Sequence, residues 1–377
     1  MPQALSRKLV RRLVLLNALS SYLMGSMTFS IQLIKRDFEL TRVIASLHNI
    51  GLALSLIVIS IALIRGSHQR PAHQTMRFGW GLLVAGSLLY CLSPNIYFSI
   101  PAVMIFAAGS VVTGNTATAI LGSHSKTALK NMFRTTGFGL FVGALSPTVI
   151  GLATQIEIPW RYTMAVTACV IAAIALSIIP ELEARPEPED NLGKIVWDKP
   201  ILYILFFAFM TITMEVSLSA WALDLLTDRG APVKIAILFA TVGPYFLALS
   251  RIYLSTKNDF NLDRIWSFAV VSISIGTVII IFTSSPTLTI LGLIIAAIGI
   301  GPCAAIAIAN ASACAQGSDR GIAVFVIGMG VSMGVSPWVM GLLSEAFGFA
   351  AAYALILITL IPSTLFFRSI NREQVRL

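Results

Sequence analysis

Residues 265–318 read IWSFAVVSISIGTVIIIFTSSPTLTILGLIIAAIGIGPCAAIAIANASACAQGS, without one charged side chain. A membrane-crossing helix needs about 20 mostly apolar residues. The run is therefore long enough for two crossings, split at Ser284-Ser285-Pro286, which has turn chemistry. Phe78–Ser123 is a second double-length run, split at Ser93-Pro94-Asn95. Single spans follow at Leu13–Ile34, Val43–Ile64, Thr135–Ile156, Tyr162–Pro180, Pro200–Met214 continuing past a lone Glu215, Ile235–Ser250, Gly321–Ser344 and Ala346–Phe367. The sequence thus predicts an all-α membrane protein of 12 transmembrane helices.

Composition agrees. Of 377 residues, 56% are hydrophobic and 11% charged, with a mean hydropathy of +0.85. A soluble chain carries about 25% charged residues. The net charge of +9 is a membrane signature here and not a nucleic-acid one, because of where the charges fall. With the N-terminus placed in the cytoplasm, 20 of the 26 basic residues lie on the cytoplasmic side. The six left outside are Lys35, Arg36, Arg42, Arg161, Arg229 and Lys234. That asymmetry follows the positive-inside rule. The basic residues near Leu13–Ile34 resemble a signal peptide, but the run is too long for one and reads as an uncleaved first span.

Glu181 to Lys199 is the longest polar stretch and contains Arg185-Pro-Glu-Pro-Glu-Asp190. It divides the chain into a six-helix half at 1–180, a cytoplasmic linker at 181–199 and a second half at 200–377. A shift of 190 residues superposes the halves: Ser146-Pro147 falls on Ser336-Pro337, Gly151 on Gly341 and Gly109 on Gly299. Both halves start inside, so the two six-helix repeats are parallel. The fifth span reads Gly139-x3-Gly143-x3-Pro147-x3-Gly151, and the eleventh reads Gly330-x3-Gly334-x2-Pro337-x3-Gly341. Glycines four apart let a second helix approach closely, and proline permits a bend. Gly143, Pro147, Gly334 and Pro337 are therefore candidate hinge or gating positions at a moving interface between the halves; tight helix packing is the plain alternative.

This organisation resembles the major facilitator superfamily. The glycine-proline fifth span, followed by Trp160-Arg161-Tyr162, is similar to that superfamily's fifth-helix motif. Within it, the chain resembles the fucose-permease-like branch of fucose/glucose/galactose symporters. Three segments carry this: Met214-Glu215-Val216-Ser217 with Trp221; Gly114-Asn115 through Pro147; and Gly301-Pro302 through Pro337-Trp338 and Gly341. There are departures. The loop Arg65-Gly-Ser-His-Gln-Arg70 lacks the superfamily's aspartate, and Ser255–Phe260 is equally degenerate. The branch uses carboxylates in its first and fourth helices, where this chain has none; Val111 stands near the expected place of the second.

The resemblance implies a secondary active transporter that moves a small polar, sugar-like solute by alternating access, as a proton-coupled symporter. An exporter of amphipathic or cationic compounds by proton antiport is the alternative. The expected setting is the cell (cytoplasmic, inner) membrane, multi-pass, with both termini cytoplasmic. Expected partners are a small-molecule substrate, protons and the lipid bilayer, with no nucleic acid. The chain is expected to act as a monomer, not as an enzyme, with no cofactor and no metal. No metal-ligand spacing, nucleophile motif or phosphate loop is present. Cys91, Cys169, Cys303 and Cys314 lie in apolar runs and read as small buried residues.

Glu215 is the most informative single position. At about 1.5 Å per residue it lies about 22 Å along the seventh span from Pro200, past the membrane midplane. A carboxylate there must face the bundle interior or an aqueous cavity. It can take up a proton or pair with a cation; a neutral acid bonded to a neighbouring helix is the bland alternative. Thr211 and Ser219 share its face. Trp221 reads either as a sugar-stacking ring or as an interfacial anchor. Asn115 and Thr118 in the fourth span, and Asn310 in the tenth, are candidate substrate contacts or interhelical bonds. Gln32, His48 and Asn49 read as lying at solvated outer helix ends, with Gln32 the strongest polar group of the first span. Asp224 and Glu345 read as facing water, and Arg251 as snorkelling to headgroups.

Overall fold

A computed structural model describes residues 7–66, 71–122, 128–179, 199–257, 260–314 and 318–374. The linker at 181–198 and parts of the two degenerate loops, 67–70 and 258–259, lie outside this set. Among the described residues, 12 helical segments are long and apolar enough to cross a membrane. Helices are what lipid permits, because each backbone N–H and C=O finds its partner within its own segment.

The first half contains α1 (Arg7–Asp37), α2 (Arg42–Ala45) with α3 (Leu47–Gly66), α4 (Ala72–Leu92), α5 (Ile96–Gly122), α6 (Ala128–Gln155) and α7 (Trp160–Ile178). The second contains α8 (Lys199–Ser219) with α9 (Ala222–Asp228), α10 (Val233–Phe239) with α11 (Val242–Ser255), α12 (Leu262–Phe282), α13 (Pro286–Cys314), α14 (Ser318–Phe347) and α15 (Phe349–Gln374). Twelve crossings among the described residues place Arg7 and Gln374 on one side, here called the terminal end. The turns at the far end are short. The turn from α14 to α15 is the single residue Gly348, at φ 81°, a backbone conformation that side chains disfavour.

Three spans are broken where the sequence shows continuous apolar runs. The second breaks at Ser46, the seventh at Ala220-Trp221 and the eighth at Ala240-Thr241. Hydropathy is blind to such breaks, because Ala220, Trp221 and Ala240 are as apolar as the helices they interrupt.

The duplication is visible in the packing. α1 packs on α6 as α8 packs on α14, and α4 on α5 as α12 on α13. The equivalence extends to single residues. A Cβ at Gly109 would meet the Gly79 carbonyl oxygen at 2.5 Å, and one at Gly299 would meet that of Ala269 at 2.8 Å. Gly79 and Ala269 are themselves 190 positions apart. The hydroxyl of Ser146 bonds Ser26 of α1, and Ser336 donates to Thr213 of α8 at 3.2 Å. Each serine-proline pair is thus tied to the first span of its own half.

The halves meet along two seams, α3 against α14 and α6 against α11. Gly151 approaches Ile237 of α10 on one seam, and Gly341 approaches Arg42 of α2 on the other. The remaining glycines differ between the halves. Gly139 and Gly143 pack on Asn17 and Ser21 of α1, inside their own half. Gly330 and Gly334 pack on Ala53 and Ile57 of α3, across the seam. Counted from the prolines, the two glycine pairs are one residue out of register. One residue turns a helix by about 100°, which puts the two stripes on different faces.

The close approach of α1 to α6 depends on Gly25, where a Cβ would run into the Gly143 carbonyl oxygen. Gly25→Val should therefore destabilise by more than the roughly 1–3 kcal/mol usual for overpacking, because backbone has to move. Gly81→Val, where no atom lies within 4 Å of an added Cβ, should leave thermal unfolding in detergent nearly unchanged. Equal melting temperatures for the two variants would contradict this packing.

Candidate functional site

A cavity of about 260 Å³ lies between the halves. Its first-half wall is one stripe of α1, from Ser21 through Gly25 and Thr28 to Gln32, joined by Asn49 of α3 and by Gly143 and Pro147 of α6. The second-half wall comes from Glu215, Ser219, Ala220 and Trp221 at the break in the seventh span. Ala240, Thr241 and Pro244 at the break in the eighth, with Met333 and Pro337 of α14, complete it. Broken helices at a ligand cavity have a physical logic: interrupting a helix frees backbone groups and turns side chains inward.

Glu215 faces the cavity with its side chain 18% exposed, and its carboxylate is paired with Arg251 of α11. The Arg251 side chain is 3% exposed, and its Nε donates to the Gly301 carbonyl of α13 at 2.5 Å. The acid is therefore an ion-paired carboxylate. Arg251 does not snorkel; it is the counter-ion that a charge at this depth requires. Trp221 is buried, and its Nε1 donates to the Pro337 carbonyl at 2.9 Å. It is a wall of the cavity and not an anchor at the lipid interface. That bond joins the break in the seventh span to the proline of the eleventh.

The other expected residues separate into two groups. Gln32, Ser219, Gly143, Pro147 and Pro337 line the cavity. Thr211 does not; it is buried, with its hydroxyl bonded to the Phe207 carbonyl of its own helix at 2.9 Å. Gly334 lies behind the wall, against Ala53. Asn115 on α5 and Asn310 on α13 are not among the lining residues, and the side chain of Thr118 is outside the described set. The fourth and tenth spans contribute nothing to this cavity among the described residues.

Gln32, His48 and Asn49 are buried, not solvated. The broken second span folds inward over them. His48 bonds the Ala45 carbonyl at 2.8 Å and Ser99 of α5 at 2.7 Å, which fixes α3 to α5. Cys91 and Cys303 are buried and unpaired as expected, whereas Cys169 is exposed on the outer face of α7. No cluster of metal-ligating side chains occurs among the described residues.

At the far end, Asp224 of α9 is buried and not in water. Lys35 pairs with it, Arg42 Nε lies 3.1 Å from it and Arg36 3.7 Å from it. All three cations belong to the first half and Asp224 to the second. Glu345 of α14 accepts from the backbone N–H of Arg42 at 2.7 Å and of Val43 at 3.3 Å. Nearer the terminal end, the rings of Phe133 and Phe260 meet across the halves at 5.6 Å. The halves therefore touch at both ends of the cavity.

No family profile matches the sequence, and no curated protein matches it. Solved structures do. The E. coli fucose:proton symporter is 14% identical with a TM-score of 0.69, over 96% of this chain and 97% of that one. A proton:xylose symporter is 12% identical with a TM-score of 0.72, over 96% and 95%. A nucleoside transporter is 12% identical with a TM-score of 0.67, over 97% and 99%. The chain has the major facilitator fold. At such identities the shared property is the path of the backbone, and the residues of the cavity are this chain's own.

Within the major facilitator fold, Ser21, Thr28, Asn49 and Thr241 line the cavity, and Arg251 pairs with its Glu215, without sequence reasoning having placed them at the site. A signal existed for Arg251, since an intramembrane Glu215 calls for a cation on a neighbouring helix. None existed for Thr28 or Thr241, because threonines on apolar helices usually bond their own backbone.

Replacing Arg251 with Leu leaves a half-buried carboxylate without its counter-ion and should cost up to about 3 kcal/mol. The double variant Glu215→Leu, Arg251→Leu should recover most of that loss. Thermal unfolding of the three proteins in detergent reads both effects. A double variant no more stable than Arg251→Leu alone would contradict the pairing.

Proposed function

We propose that this chain is a secondary transporter that carries a small polar solute through the central cavity by alternating access. The observation that carries the reading is a cavity of about 260 Å³ at the seam of two pseudo-equivalent halves, with contacts between the halves on either side of it. Rocking the halves would open one end while the other stays shut. Its volume is just below the usual range for ligand pockets, about 300–1,000 Å³, which fits a solute of about monosaccharide size. The amides of Gln32 and Asn49 and the hydroxyls of Thr28 and Ser219 suit a polyhydroxylated solute, and the buried Trp221 backs the wall behind them. One chain builds the cavity alone, which fits a monomer.

Lysine and arginine placement sets the chain termini in the cytoplasm, so the Asp224 end faces outward. The cytoplasmic membrane is the setting this reading takes. Proton coupling is assigned to Glu215. Protonation removes its charge, dissolves the pair with Arg251 and changes what the cavity presents to solute. Symporters of fucose and of xylose with protons share the fold, which supports the sugar and proton parts of the proposal. Because Arg251 already neutralises Glu215, a cationic cargo is the poorer fit, and the antiport reading gains nothing from the site.

Proteoliposomes loaded with a panel of monosaccharides test this by counterflow, followed by uptake under an inward proton gradient. Glu215→Gln should retain counterflow and lose acceleration by the gradient. Gradient-driven uptake identical to that of the unaltered protein would remove Glu215 from the coupling role.

A further inference from the structure

Lys35, Arg36 and Arg42 are three of only six basic residues on the side of the membrane that the positive-inside rule leaves poor in them. They converge on one carboxylate, Asp224, whose side chain is 5% exposed. Of the neighbouring acids, Glu345 accepts from the backbone N–H groups of Arg42 and Val43, and Asp37 is held by Arg161 and Trp160, so the ion pairs of the three cations among the described residues are all with Asp224. Lys35 is 13% exposed and Arg42 26%, so the surplus positive charge is partly desolvated. Such a surplus is costly unless an anion comes to it.

The cluster sits directly over the cavity. Lys35 lies one helical turn beyond Ile31 and Gln32 on α1, and Asp224 one turn beyond Trp221. The Lys35 ammonium lies 5.6 Å from the centre of the Trp221 ring. Beneath it, Gln32 is 4% exposed and lines the cavity, and its Oε1 has no hydrogen-bond partner. A buried acceptor of that kind calls for a donor on whatever fills the space. On the second-half wall the same arrangement recurs: Arg251 is masked by Glu215.

We propose that the solute is a small organic anion, a polyhydroxylated carboxylate, and that its carboxylate takes the place of Asp224 on Lys35 and Arg42 as it enters. The two cations keep a carboxylate throughout, and Asp224, displaced from them, keeps Arg36 as its counter-ion. The exchange also weakens the tie between the halves at that end, which couples solute arrival to opening. The hydroxyls then meet Gln32, Asn49 and Thr28 in the cavity. This rests on the carrier reading and narrows its substrate class.

The test is tryptophan-fluorescence titration of the purified full-length protein with D-gluconate and with D-glucitol, which differ only in carboxylate against hydroxymethyl. Gluconate should bind at least about tenfold tighter, as a charge-assisted bond to a cation predicts. Lys35→Gln should weaken gluconate binding by a similar factor. Asp224→Asn, which unmasks the cations, should tighten it, an outcome that a merely structural ion pair would not produce. Glucitol binding as tightly as gluconate, no gluconate binding, or gluconate affinity indifferent to both substitutions would each overturn the anion assignment. A carrier of neutral sugars would survive that result. Conversely, gluconate that binds in the expected pattern but never enters proteoliposomes would keep the anion site and sink the carrier reading.

Discussion

A charge inside an apolar bundle has to be neutralised where it stands, and the pairing of Glu215 with Arg251 shows this chain obeying that constraint. Three helices are committed by it, since the guanidinium that meets the acid of α8 leaves α11 and also bonds the backbone of α13. The carboxylate is thereby held at the cavity wall. The same constraint explains the far end, where Asp224 is buried among cations of the opposite half. Elsewhere the interior is filled by aliphatic, aromatic and small residues, and its lone hydroxyls mostly bond backbone carbonyls of their own helices. Polar chemistry concentrates where the halves meet.

Small residues set how near those halves come. Gly25 and Gly143 bring α1 against α6, so that α1 can show one face to the cavity from Ser21 to Gln32. The two cores also interpenetrate. Residues of α9 and α10, from the second half, are buried in the hydrophobic cluster of the first, and Phe133 of the first half is buried in that of the second. The halves are thus joined by apolar contact near both ends, and at the far one ionic contact is added.

Twelve crossings, two like halves and the 190-residue shift could be read from the sequence, because lipid enforces long apolar runs and duplication leaves Gly109, Pro147 and Gly151 in step with Gly299, Pro337 and Gly341. Glu215, Trp221, Gln32, Pro147 and Pro337 were also legible, each being polar, aromatic or helix-bending where plain apolar helix was expected. The helix breaks at Ser46, Trp221 and Thr241 were not, since they carry no hydropathy signal. For that reason Asn49 and Asp224, judged by their distance from span ends, were expected in water. Arg251 and Glu215 are 36 residues apart, and only the fold shows that their helices are neighbours. Asn115 and Asn310 are the converse case: polar groups on apolar helices that do not reach this cavity.

The claim on which the whole account turns is that two half-bundles enclose the cavity and are held together at one end by cations on Asp224. Spin labels at Tyr97 and Phe282, exposed residues at that end of the two halves, would report their separation by pulsed electron resonance in a background with the native cysteines replaced. The account predicts a single narrow distance distribution in the unaltered protein and a second, longer population once Asp224 is changed to Asn. Identical distance distributions in the two proteins would contradict it.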